Sequence, residues 1–136
     1  MNKKIYWVLT VLVALALLGG GVGQLSGSEE MQQNMARLGY PAYILPLLGI
    51  WKVGAAVALL VPGFARIKEW AYAGIGFLLT GAFVSHLASG DPVADSLAPL
   101  VVLSVAVASY ILRPASRRLD AANAPTEGTV AKTALA

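Results

Sequence analysis

Lys52 stands at the centre of a long apolar run from Tyr43 to Val61. An ammonium group at the mid-depth of a bilayer costs about 2.5–3.5 kcal/mol even on lenient insertion scales. Lys52 lies about nine positions from either end of its run, and at ~1.5 Å per residue its side chain reaches neither headgroup layer by snorkelling alone. A polar partner, a water-filled cavity or a bound ligand must satisfy it. Thr80 and Ser104 sit near the middle of two further apolar runs, where each offers an oxygen at similar depth, and no Asp or Glu lies at that depth in any run. Such a site suits an anionic or electron-rich lipophilic ligand, or one step of a proton relay. A lysine hydrated in a small polar cavity is the purely structural alternative.

The other candidates surround this one. His86, the only histidine, falls near the outer end of the third run. It differs in depth from Lys52 by roughly 10 Å, judged from helical rise. The two are expected to line one outward-facing cavity without touching, unless His86 simply bonds to a loop or to water. Gln24, near the outer end of the first run, is placed in the same cavity. Trp51 is too deep for an interfacial belt, so it packs against lipid or walls a pocket. Trp70 and Tyr72 fit an inner aromatic belt. Glu69 precedes the third run, where a carboxylate favours the positive end of a helix. The candidate ligand-binding set is therefore Lys52, His86, Gln24, Trp51, Thr80 and Ser104. No catalytic residue is assigned, because neither a Ser-His-Asp constellation nor a carboxylate pair in a common cleft is visible. One histidine without a second ligand nearby predicts no metal site. The absence of cysteine excludes thiolate nucleophiles, disulfide exchange and Cys-ligated clusters within the chain. No intrinsic catalytic activity is expected.

The elements that position these residues follow from composition. The chain has 136 residues, of which 57% are hydrophobic and only 12% charged, with a mean hydropathy of +0.69. Soluble domains usually carry about 25% charged residues, so the bilayer is the natural solvent. Four apolar segments, at about 5–22, 43–61, 70–88 and 97–112, each approach the ~20 residues needed to cross the hydrocarbon as a helix. Helices are expected over strands because backbone groups in lipid must be satisfied within the segment. The expected fold is all-α, a four-helix transmembrane bundle. Small residues at four-residue spacing (Ala16 and Gly20, Gly54 and Ala58, Gly76 and Thr80, Ser104 and Ala108) predict close helix approach. Pro46 is placed one turn into the second helix, where it would bend the axis.

Orientation follows from the cations. Lys3, Lys4, Arg66, Lys68, Arg113, Arg117 and Arg118 all fall on one side if four helices cross, whereas the other side receives Arg37 with Glu29, Glu30, Asp91 and Asp95. The basic side, with both termini, is expected to be cytoplasmic. The net charge of +3 therefore reads as a topology signal, and no basic stripe with interleaved aromatics points to nucleic acid. Lys3-Lys4 followed by an apolar stretch also resembles a cleavable signal peptide, but no clear Ala-x-Ala site follows. In the first outer loop, Ser26-Gly27-Ser28-Glu29 fits a capping box, and Met31, Met35 and Leu38 recur at helical spacing. These predict a short amphipathic helix that closes the bundle or lids a ligand site. Residues 1–119 form the expected transmembrane domain, and 120–136 a disordered cytoplasmic tail.

The Gly-rich end of the first helix, Leu38-Gly39-Tyr40-Pro41, Gly49-Ile50-Trp51-Lys52, Lys68-Glu69-Trp70-Ala71-Tyr72-Ala73-Gly74, and Ser85-His86 followed by Gly90-Asp91 occur in an order and spacing that resemble the DoxX-like membrane proteins. The resemblance covers about residues 5 to 112. The family typically follows the small residues of helix one with a Lys-Leu pair, whereas Gln24-Leu25 occupies that place here. The resemblance implies a four-helix bundle of the bacterial cytoplasmic membrane and an association with quinone-linked redox. The expected role is an accessory component that binds a lipophilic ligand, quinone being the possible cofactor. The alternatives are the membrane subunit of a quinone-linked oxidoreductase, with a soluble redox partner, and a small-molecule or proton carrier working as a homo-oligomer.

Overall fold

A computed structural model describes residues 2–119, which are helical throughout apart from short connections, with no strand among them. The helices are α1 (Asn2–Ser26), α2 (Glu29–Arg37), α3 (Ile44–Leu60), α4 (Ala65–Ala88), α5 (Val93–Ser96) and α6 (Ala98–Ile111), followed by a 3-10 turn at Ala115–Arg117. Asn2–Ser26, Ala65–Ala88 and the continuous stretch Val93–Ile111 are long and apolar enough to cross a membrane, while Ile44–Leu60 is a shorter apolar helix. The expected tail at 120–136 lies outside the described residues. All four predicted runs are helical, but α1 and α4 extend beyond their predicted bounds. Apolar periodicity marks where a helix is buried in lipid, not where its hydrogen bonding stops.

The helices form a ring in which α1 packs along α3, α3 on α4, α4 on α6 and α6 on α1. The core between them holds Val13, Leu17, Leu59, Tyr72, Ile75 and Leu79. Close approach occurs at Gly21 and Gly49. A Cβ added at Gly49 would lie 2.9 Å from the Gly21 carbonyl oxygen and 2.7 Å from Leu25 Cγ. The small pairs expected to do this lie elsewhere: Gly54 and Gly76 face open space, and Ala16, Thr80 and Ser104 are exposed. Spacing identifies surfaces that permit close packing, and only the partner's shape selects among them. Pro46 falls in the first turn of α3, where its missing N–H has no intrahelical acceptor to lose. It therefore requires no bend.

The N-cap of α2 is Ser28, whose hydroxyl accepts from Met31 N at 3.4 Å. The predicted Ser26 capping box does not form. Helix α1 runs on through Ser26, whose hydroxyl bonds back to the Gly23 carbonyl at 2.6 Å, and Gly27 at φ 63° breaks the chain before α2. The α2 helix itself is present where the Met31 and Met35 spacing put it.

One end of the bundle is tied by cations. Arg117 donates to the carbonyls of Leu59 at 2.7 Å and Leu60 at 3.3 Å, and to Tyr6 Oη at 3.3 Å. Lys68, fully buried, donates to the carbonyls of Val61 and of Gly63. Together they satisfy the orphan carbonyls at the C-terminal end of α3, where positive charge is favoured. Arg113 pairs with Glu69 at 2.7 Å and stacks 4.0 Å from the Tyr110 ring centroid. Glu69 is thus not a helix-start residue as expected: α4 begins four residues earlier, and the carboxylate ties α4 to α6. These contacts gather the start of α1, the end of α3, the start of α4 and the end of α6 at one pole, so the four helices alternate in direction. Between α3 and α4, Gly63 and Phe64 both adopt left-handed backbone, Phe64 at φ 51°, a conformation costing a side-chain-bearing residue about 1–2 kcal/mol.

Candidate functional site

A groove of about 410 Å³ opens between α3 and α4. Its walls combine small residues (Gly54, Ala58, Gly74) with large apolar ones (Trp51, Trp70, Leu78), and Lys52 is the one charged side chain among its lining. The groove spans the half of the bundle nearest the basic pole, with Lys52 and Leu78 at its deep end. The fold produces it because α3 and α4 meet through glycine and alanine there, leaving the gap that larger side chains would fill.

Lys52 lies across α1. A Cβ at Gly20 would sit 3.4 Å from Lys52 Nζ, and one at Gly21 would sit 3.1 Å from Lys52 Cβ. The aliphatic stem uses the space these two glycines leave. Among the described residues, Lys52 makes no ion pair and no hydrogen bond. Lys52 is thus a cation without a partner among the described residues, beside an otherwise apolar groove.

The structure brings Lys52 and Trp51 to this groove, Trp51 with 60% of its surface exposed. It does not bring the others there. Thr80 Oγ1 bonds to the carbonyl of Gly76 at 2.7 Å, and Ser104 Oγ to that of Leu100 at 2.8 Å. Both hydroxyls are satisfied by their own helices on exposed faces, so neither supplies Lys52. Gln24 is buried at 6% exposure, and its Oε1 has no hydrogen-bond partner among the described residues. It is not part of the groove lining.

His86 belongs to a separate cluster at the pole opposite the cations. Its Nδ1 lies 2.6 Å from Asp91 Oδ2, and Asp91 also pairs with Arg37 of α2. Beside it, the Tyr40 and Ser85 hydroxyls are 2.6 Å apart. This clasp fastens α2 to the end of α4. Arg37 first, then His86, hold the Asp91 carboxyl below the ordinary carboxylate range. His86 thus bonds to the loop carboxylate of Asp91 and is not part of the groove lining that holds Lys52. Arg37 and Asp91 were legible as loop charges on one side, but their pairing was not.

A buried polar chain also escaped the sequence. Thr10 Oγ1 donates to the Tyr6 carbonyl at 2.7 Å and lies 2.7 Å from Ser109 Oγ, which lies 2.8 Å from Tyr72 Oη. Since Thr10 spends its one proton on the carbonyl, Ser109 must donate to Thr10 and Tyr72 to Ser109. Tyr72 is therefore a buried strut between α4 and α6, not the belt residue expected. Trp70, with 73% of its surface exposed, remains at the lipid-facing surface. The available signal was Thr10 and Ser109, lone hydroxyls near the two chain ends of the bundle. A second groove, about 280 Å³, lies between α4 and α6 beside Tyr72 and Tyr110. Among the described residues no cluster of three His, Asp, Glu or Cys side chains fit to hold a metal ion occurs.

No solved structure matches the chain. It is similar to inner membrane protein YqjF of Escherichia coli strain K12, with 29% identity over 83 residues, which is 61% of this chain and 64% of that protein. The match thus spans a little less than two thirds of that relative's length. The sequence model of the DoxX-like family matches residues 8–109, a stretch that takes in Lys52 with its Gly20–Gly21 cradle, the whole groove and the His86 clasp, and the chain belongs to that family.

Proposed function

We propose that this chain is a small accessory protein of the bacterial cytoplasmic membrane that holds a lipophilic, quinone-like ligand in the groove between α3 and α4. The observation that carries the reading is Lys52, a cation without a partner among the described residues, at the deep end of an otherwise apolar groove. A quinone carbonyl accepts a hydrogen bond from the ammonium, its ring lies flat against the glycine- and alanine-lined walls, and the tail leaves laterally into lipid. In this reading all four long helices cross the bilayer. At ~1.5 Å per residue, the 17 residues of α3 extend about 25 Å, enough to cross with modest bilayer thinning. The pole carrying Lys68, Arg113 and Arg117 faces the cytoplasm, as does the N-terminus. The chain's own side chains bind and orient the ligand, and electron transfer falls to a soluble partner that carries the redox centre.

Native mass spectrometry of gently solubilised protein tests this, with wild type beside Lys52→Met. The expected result is a small lipophilic molecule retained by wild type and lost from the variant, with a quinone restoring it to wild type alone. Equal retention in both, or no quinone uptake by either, would remove Lys52 and the groove from consideration.

A further inference from the structure

The seven cations at the basic pole divide into two groups. Arg117 is buried and engaged by α3 carbonyls, Lys68 is buried and engaged by the Val61 and Gly63 carbonyls just beyond α3, and Arg113 is buried against Glu69. Lys3, Lys4, Arg66 and Arg118 are exposed. Arg118 bonds only to the backbone carbonyls of Arg113 and Ile111, and none of the four forms an ion pair among the described residues. Glu69 is the one described acidic side chain at this pole, and Arg113 already holds it.

These four cations lie at the same pole. Lys3 and Lys4 lie one turn before Tyr6 and Trp7, and the Arg117 guanidinium sits 4.4 Å from the Trp7 ring centroid. Arg118 follows directly. Arg66 is two residues from Lys68, whose ammonium caps the same end of α3 that Arg117 caps. The pole lies where apolar helices end, next to exposed Trp70, the level of lipid headgroups. Aromatic side chains concentrate at that level. The inward cations have their donors satisfied by carbonyls or by Glu69, whereas the outward ones have no acidic partner among the described residues.

We infer that Lys3, Lys4, Arg66 and Arg118 form a binding surface for the phosphate headgroups of anionic lipids. An acidic protein segment would meet the same charge, but the placement of the patch in the headgroup layer favours the lipid. The inference is independent of the ligand assigned to the groove. Juxtamembrane cations attract anionic headgroups by about fivefold in association per engaged residue, and the attraction falls off within a Debye length.

Trp7 supplies the reporter. In the full chain carrying Trp51→Phe and Trp70→Phe, Trp7 is the remaining indole. Its quenching is measured in bilayers containing brominated phosphatidylglycerol or brominated phosphatidylcholine at equal mole fraction. The expected result is at least a fivefold preference for phosphatidylglycerol that falls toward unity when Lys3, Lys4, Arg66 and Arg118 are all changed to Gln. In the unsubstituted four-cation protein the preference also falls as salt is raised, which tests the charge without altering the fold. Equal quenching by the two lipids, a preference surviving the four substitutions, or one indifferent to salt would overturn the inference.

Discussion

Gly49→Ala and Gly54→Ala place the same methyl group on the same helix five residues apart, and the structure predicts opposite signs. At Gly49 the new Cβ meets the Gly21 carbonyl at 2.9 Å and Leu25 Cγ at 2.7 Å. The leucine can rotate, but the carbonyl belongs to the backbone of α1. Restoring ordinary contact requires α1 and α3 to part by about half an ångström, and overpacking of this kind costs ~1–3 kcal/mol. The helical gain of Ala over Gly, about 1 kcal/mol, offsets part of it. The expected net loss is about 1 kcal/mol and at most ~2 kcal/mol. At Gly54 nothing lies within 4 Å of the new methyl, so the helical gain stands alone and the variant should be more stable by up to ~1 kcal/mol. The two variants should differ by roughly 2 kcal/mol, near thirtyfold in the unfolding equilibrium. Reversible denaturation in mixed micelles, followed by circular dichroism, measures both against wild type. If Gly49→Ala proves as stable as Gly54→Ala, the α1–α3 contact is not set by these glycines and the placement of Lys52 over Gly20 loses its basis.

The polarised chain from Tyr72 through Ser109 to Thr10 predicts an asymmetry. Ser109→Ala leaves the buried Tyr72 hydroxyl without an acceptor and should cost ~1–3 kcal/mol, whereas Tyr72→Phe removes the terminal donor and should cost less in the same unfolding assay. Equal losses would refute the assigned directions. Arg117→Met should uncover the Leu59 and Leu60 carbonyls and destabilise by about 2–3 kcal/mol, against a near-neutral Arg118→Gln; similar effects would mean that α3 is capped otherwise. For the Asp91 clasp, the folded carboxyl titrates below its unfolded value, so its contribution is complete above the unfolded range and lost as pH falls through the folded one. Protection of α2 against hydrogen exchange should therefore start to fall as pH enters the ordinary carboxylate range and reach its floor below that range. In Asp91→Asn exchange should be fast at neutral pH, and α2 protection indifferent to that substitution would remove the clasp.

What was legible in the sequence was the solvent each segment prefers. Apolar runs located four helices, and the cations sorted the connections to one pole, because both signals are additive along the chain. Lys52 could be expected at a cavity because a charge inside an apolar run requires one wherever it falls, whereas Trp51 beside it was left open between lipid and a pocket wall. Thr80 and Ser104 could not be placed, since depth was known and rotation about the helix axis was not. A hydroxyl at mid-depth also has a competing acceptor on its own helix four residues back, and both residues take it. The His86 clasp and the Thr10–Ser109–Tyr72 chain join residues 5, 37, 54 and 99 positions apart. Such pairings follow from the ring order of the helices, which no local pattern states.

Helix α4 has a groove along each flank, about 410 Å³ toward α3 and 280 Å³ toward α6. Its polar ties sit near its ends, at Lys68, Glu69 and Tyr72 toward its start and at Ser85 and His86 toward its finish. Between them α4 makes no side-chain hydrogen bond to another helix among the described residues, so dispersion contacts hold it there, and the grooves forfeit a share of those. Mechanically, this is a beam clamped at both supports and unbraced in the middle. A bow in this middle stretch would widen one groove and narrow the other while the hydrogen bonds at both clamps stay closed.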